Sequence, residues 1–286
     1  MVYHLGMVRF VDDFKFVQEA LGLNAVELCQ KIGLSRAYIA EIISGKTQPS
    51  KRTLEAFYSY AYRSGLRINL SREQLLHELN PYPVLYHGSK YGLGDIRPSG
   101  SRPNCDFGNG FYLGKTYQQA ANFMADTEEG TVYAFSFRGS GLKEAALTCD
   151  INWLLLVCAF RGKLDNYKDH PLLKTAFSLV EGADYIRAPI ADNKMFQIMR
   201  SFEDGEITDV ESLHALSASD LGEKYVMKTE KAISCLKKLD RLYLSEPEKQ
   251  ALTEEAMERA KMVDTKLKMA KREFRGKGKY IEELFQ

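Results

Sequence analysis

The stretch FGNGFYLGKTYQQAANF, Phe107 to Phe123, changes character halfway along. Gly108 and Gly110 stand two apart among aromatics, and Tyr112 follows at once. Glycine within a strand marks a bulge or a close approach by a ligand or another backbone. The first half is therefore predicted to be a strand with something lying against it. TYQQAANFMAD, beyond it, has helical periodicity.

Working outward, VLYHGS, GTVYAFSF and KYVMKT are short aromatic or branched runs of strand type, and MFQIMRSFEDG is helical. A mixed α+β domain is expected over residues 80–242, with no repeated βαβ units. Two prolines in ELNPYPVL break the pattern and mark its start. Residues 1–79 read as consecutive short helices. Asn24 caps AVELCQKIGL, Ser35 caps RAYIAEIIS, and Ser50 with Pro49 opens KRTLEAFYSYAYRSGL. Gly22 and Gly45 supply helix stops. Val26, Leu28, Ile32, Leu34, Ile39, Ile42 and Ile43 are spaced to line one small core. Residues 243–286 read as a charged helix with a narrow apolar seam of Ala256, Ala260, Val263, Leu267, Ala270 and Phe274. That seam is assigned to the protein's own packing ahead of a dimer or partner contact. The expected fold class is α+β: an all-α N-terminal domain, a central mixed α+β domain and a C-terminal charged helix.

A chain of 286 residues suits about two domains. Its formal charge of +1 points to no partner for the whole molecule. Between Ser35 and Arg72, however, Arg36, Lys46, Lys51, Arg52, Arg63, Arg67 and Arg72 face only Glu41 and Glu55, which predicts a local basic surface. Five scattered cysteines, without C-x-x-C spacing or a histidine cluster, fit a reducing compartment and argue against a metal site. The longest apolar run, Trp153–Phe160, is too short to span a bilayer, and the N-terminus lacks the apolar run of a signal peptide. A cytoplasmic protein without membrane contact is expected.

LCQKIGLSRAYIAEIISGKTQPSKRTLEAF resembles the phage-repressor (Xre-type) helix-turn-helix, in the turn Gly33, the cap Ser35, the stop Gly45 and the G-K-x-x-P-S exit. The resemblance covers about Val11 to Leu66. It implies DNA as partner, with Arg36, Ala37 and Tyr38 facing base edges and Lys46, Lys51 and Arg52 near phosphates. The free amides behind Ser35 offer a further phosphate contact. A homodimer is the natural expectation for such a half-site reader.

YHGS, then DFGNGFYL, QQAANF, DYIRAPIADN, EDGEIT and YVMKTEKAISCL, resemble the diphtheria-toxin-like and poly(ADP-ribose) polymerase-like ADP-ribosyltransferases. They are more similar still to a bacterial family within that fold whose members lie beside toxin–antitoxin-like partners. The resemblance spans roughly Val84 to Leu239. It implies NAD as substrate, with His87 on the nicotinamide ribose, the Gly88 backbone on the carboxamide and Ser89 assisting. Tyr112 would stack on nicotinamide and Phe123 form a second aromatic wall. Phe107 and Gly108 belong to the same cofactor-binding set, Gly108 and Gly110 clearing room for the ligand. An antitoxin or a target protein is the further partner that the resemblance implies. Asp192 and Asn193 match its pattern without an assigned role, and Asp106 is read as a turn cap.

Such enzymes carry a glutamate on a late strand, where it stabilises the oxocarbenium ion. In GEKYVMKT, Lys224 falls at that position and Glu223 just before it. A bulge near Gly222 would turn Glu223 inward and make it the catalytic residue. The leading expectation is a mono-ADP-ribosyltransferase fused to a DNA-binding module. The competing one is an NAD-sensing or partner-binding transcriptional regulator with a weak transferase fold, and NAD hydrolysis without an acceptor is the third.

Overall fold

In the computed structural model, which describes residues 9–128, 130–190, 195–217 and 222–286, five helices open the chain. They are α1 (Phe10–Leu21), α2 (Ala25–Ile32), α3 (Arg36–Ile43), α4 (Lys51–Arg63) and α5 (Ile68–Leu79). Local chemistry sets their ends. The Asn24 side chain accepts from the amides of Val26 and Glu27, while Glu27 accepts from the Asn24 amide, closing a capping box. Ser35 and Ser50 accept from the amides of Tyr38 and Thr53. Gly33 ends α2 at φ 68°, a left-handed conformation suited to glycine, and turns the chain into α3. Phe10, Phe14, Val17, Leu28, Ile39, Ile42 and Phe57 fill the core between these helices. Val26 and Ile43, expected inside, are exposed instead. Phe10 and Phe14 of α1 and Phe57 and Tyr58 of α4 lie in that core.

The chain continues through β1 (Val84–Ser89), β2 (Phe111–Gly114), α6 (Tyr117–Asn122), β3 (Thr131–Phe137), β4 (Glu144–Ala146) and α7 (Ile151–Phe160). Next come α8 (Pro171–Ser178), β5 (Tyr185–Pro189), α9 (Met195–Glu203), α10 (Asp209–Ser217), β6 (Glu223–Met227) and α11 (Glu230–Ser234). β7 (Leu236–Tyr243), α12 (Glu246–Glu273) and α13 (Ile281–Leu284) complete it. The architecture is mixed α+β, with an N-terminal helical region and a central mixed sheet. Among the described residues no helix is long and apolar enough to cross a membrane.

These elements group into two compact units, each assembled from separated stretches. The first comprises the chain up to Leu93, Thr116–Phe137 and Lys237–Glu254. It holds the five opening helices, α6, and strands in the order β1–β3–β7, with β1 and β3 antiparallel and His87 opposite Tyr133. The second comprises Gly94–Lys115, Arg138–Leu236 and Glu255–Gln286. Its strands run β4–β5–β6–β2, parallel between β4 and β5 and antiparallel elsewhere. The apolar run of α7 is buried from Trp153 to Cys158 and centres this unit's core. Leu267 and Ala270 of the α12 seam pack into the same core.

Candidate functional site

α3 exposes Arg36, Ala37, Ala40, Glu41 and Ile43, while Ile39 and Ile42 are buried beneath it. Lys46, Lys51 and Arg52 are exposed on the turn after α3 and at the start of α4. Tyr38, expected at base edges, is half-exposed and bonded to the start of α4. Its hydroxyl accepts from Thr53 Oγ1 at 3.2 Å and from the Ser50 amide at 3.3 Å. Those bonds, that of Thr53 foremost, hold the phenol below its ordinary pKa. Tyr38 therefore positions α3 against the start of α4.

His87, Gly88 and Ser89 follow one another along the half-buried end of β1. A Cβ at Gly88 would stand 2.7 Å from the Ala120 carbonyl oxygen and 2.9 Å from Met124 Cγ. The glycine is thus required by the close approach of α6 and the turn after it. Phe123, just past α6, is 59% exposed.

In the second unit, Phe107 and Gly108 are buried. Gly108 has φ 67°, and a Cβ there would lie 3.1 Å from the Phe160 ring. A Cβ at Gly110 would collide with the Val226 side chain on β6. The packing thus corrects the reading of both glycines: the room they leave is filled by Phe160 and Val226, not kept for a ligand. The Tyr112 hydroxyl donates to the Gly108 carbonyl at 2.7 Å and accepts from the Phe107 amide at 3.1 Å, tying the loop to β2. Burial raises the pKa of this phenol. Lys228 Nζ holds the same loop by donating to the carbonyls of Phe107, at 2.7 Å, and Asn109.

The β6 ladder is continuous from its first residue. Glu223 stands opposite Pro189, Lys224 opposite Ala188 and Gly114, and Val226 opposite Tyr112. Residues directly opposite share a face and successive residues alternate. Lys224 consequently lies on the Tyr112 face and Glu223 on the other. The bulge expected near Gly222 does not redirect Glu223, and Lys224 is the inward residue, 7% exposed. Its ammonium pairs with Asp106, whose other oxygen accepts from Arg161 Nη2 at 2.7 Å and Nε at 3.1 Å. Arg161 also reaches Glu203 at 3.9 Å. Burial pushes the Asp106 carboxyl up, but Lys224 and Arg161 more than reverse it and hold it below the ordinary carboxylate value. Burial drives the Lys224 ammonium down, against the pull of Asp106. Glu223 accepts from Lys115 Nζ at 2.6 Å and Arg187 Nη1 at 2.8 Å. Those partners, Lys115 first, lower its pKa.

The Asp106–Lys224–Arg161 cluster escaped the sequence reading, which left Asp106 as a turn cap. A lysine at an inward strand position demands a partner, because an unpaired buried charge is costly. That partner is 118 residues away, and nothing local identifies it. Asp192 and Asn193 lie outside the described residues.

Residues 18–57 match the family described as Helix-turn-helix. Residues 84–238 match the family described as Protein of unknown function (DUF3990). No curated protein and no solved structure matches the chain.

Proposed function

The chain belongs to the DUF3990 family, and on that premise we propose that it is a DNA-binding regulator whose DUF3990 region binds NAD and turns it over weakly. One observation carries the regulator reading: the DNA reader is joined to a strand of its own unit by buried charge and stacked rings. Arg72 pairs with Asp13, and Asp240 of β7 lies 3.8 Å from Arg72 and 3.4 Å from Arg9. Tyr58 of α4 stacks on Tyr243 at 5.4 Å, and the Tyr243 hydroxyl donates to Glu55 at 2.9 Å. A helical module tied in this way cannot tumble on a linker, so a change in β7 reaches α4, to which Tyr38 ties α3.

NAD as the ligand rests on the order of YHGS, DFGNGFYL and QQAANF in the sequence. The glycines add no weight, since packing already requires them. Weak turnover rests on β6. The β6 residue on the Tyr112 face is Lys224, whose ammonium is already paired with Asp106, so the strand supplies no carboxylate of its own there to favour a developing oxocarbenium ion. The second reading, efficient ADP-ribosyl transfer within a toxin–antitoxin or defence pair, draws on Glu223, a carboxylate kept ionised with its side chain 32% exposed.

The test measures operator affinity of the full chain with and without NAD, alongside nicotinamide release. NAD is expected to change DNA affinity by about fivefold or more, the scale of ordinary coupling between sites, with slow release. His87→Ala should weaken NAD binding and leave DNA affinity in its absence unchanged. Calorimetry without NAD binding at millimolar ligand would sink the NAD reading. Rapid release that Glu223→Gln abolishes would favour the transferase.

A further inference from the structure

The exposed face of α3 carries an unusual set of side chains for reading a groove, and we propose that it selects a short half-site core containing a G·C pair read through guanine and a second read through cytosine. This inference rests on the DNA-binding reading and adds the bases. At 100° per residue, Arg36, Ala37, Ala40 and Glu41 fall within one arc, and all four are exposed. Ile39 and Ile42 are buried on the opposite side, and Tyr38 is bound to Ser50 and Thr53. The arc, with the exposed Ile43 at its edge beside Arg36, therefore holds one guanidinium, one carboxylate and three apolar side chains. Among the described residues, neither Arg36 nor Glu41 makes a side-chain hydrogen bond or ion pair that would withdraw it from the surface.

Each group selects a base by its chemistry. A guanidinium fork matches guanine O6 and N7, a carboxylate can only accept and so matches the cytosine N4 amino group, and alanine methyls match the thymine methyl. No asparagine or glutamine lies on the arc to read adenine with two bonds. Glu41 also has a repulsive role, since a carboxylate near phosphates is unfavourable unless a donor meets it. Arg36 and Glu41 are five residues apart, roughly 7.5 Å along the helix at about 1.5 Å per residue. Base pairs rise about 3.4 Å. The two readings therefore fall about two base steps apart, and Ala37 and Ala40 lie over the step between them, where thymine is favoured.

Selection from a random duplex pool by the full-length protein, read by sequencing, tests this. The expected core holds guanine and cytosine two steps apart with thymine between, and Arg36→Ala should lose preference at the guanine by about tenfold or more. Glu41→Gln should move the cytosine preference to adenine, because glutamine gains a donor beside its acceptor. Lys46→Ala, a phosphate-side control, should weaken binding to all sequences alike and reduce the salt slope. Enrichment of a core without those two pairs, or an unchanged preference in Glu41→Gln, overturns the base assignment and leaves DNA binding standing. Failure to enrich any DNA at low salt overturns both.

Discussion

Asp106 shows how one residue changes meaning between sequence and structure. In the sequence it precedes a glycine-rich turn; in the fold it neutralises Lys224 and orders Arg161. Removing one partner of a buried ion pair leaves an uncompensated charge, which typically costs about 3–5 kcal/mol. Asp106→Ala should therefore lower the urea-unfolding free energy by about that amount, since it leaves two cations together. The double variant Asp106→Leu with Lys224→Met should lose less, because it leaves one cation in place of two, Arg161, and Glu203 still lies 3.9 Å from it. If the single variant unfolds like the wild type, the cluster is not the support assigned to it. Gly110 teaches the same lesson sterically: a glycine that reads as an invitation to a ligand is answered by Val226.

At the scale of elements, the start of α12 docks on α5 and α6 through a half-buried carboxylate. Glu248 accepts from Asn69 Nδ2 and from the Tyr117 hydroxyl, both at 2.9 Å. Burial pushes its pKa up to about 7, against those two bonds and the more distant Arg67. The folded protein thus holds this proton over a range where the unfolded chain, near 4.3, has released it. This contribution to stability is fully present below the unfolded value and is lost as pH rises through about 7. Glu248→Gln keeps the shape and cannot ionise. Its melting temperature relative to wild type should be more favourable at pH 8 than at pH 5, and an equal difference at both values would exclude the assignment. β7 was the element hardest to foresee. Leu236, Leu239 and Leu242 recur every three residues, as on a helix, and Asp240 turns inward only where Arg9 and Arg72 meet it.

For the molecule as a whole, the consequence is that the DNA reader is not a bead on a string. The sequence places a boundary at the prolines after residue 79. The first unit crosses it: β7 from Lys237 belongs to the same compact unit as the opening helices, and Tyr243 packs against their core. A chain ended after Asn80 would lose Asp240 from Arg9 and Arg72, and Tyr243 from Tyr58 and Glu55. A ring contact of this kind is worth about 0.5–1.5 kcal/mol beyond the area it buries. Hydrogen exchange should show α4 and α5 less protected in that truncated chain than in the full one. Equal protection would mean that the reader is autonomous and would weaken the proposed coupling.

What the sequence determined by itself was local. Asn24, Ser35 and Ser50 set helix starts, Gly22 and Gly45 set stops, and the runs VLYHGS and GTVYAFSF set strands, because each effect acts within a few residues. The helix-turn-helix was legible for the same reason. Tertiary structure alone decided which face of β6 looks inward, that the Tyr38 hydroxyl bonds to the start of α4, and that Phe160 and Val226 fill the space beside the glycines. Those outcomes depend on partners brought from far along the chain. A one-residue difference in strand register, invisible to composition or spacing, exchanges Glu223 for Lys224 and reverses the charge that the Tyr112 face presents.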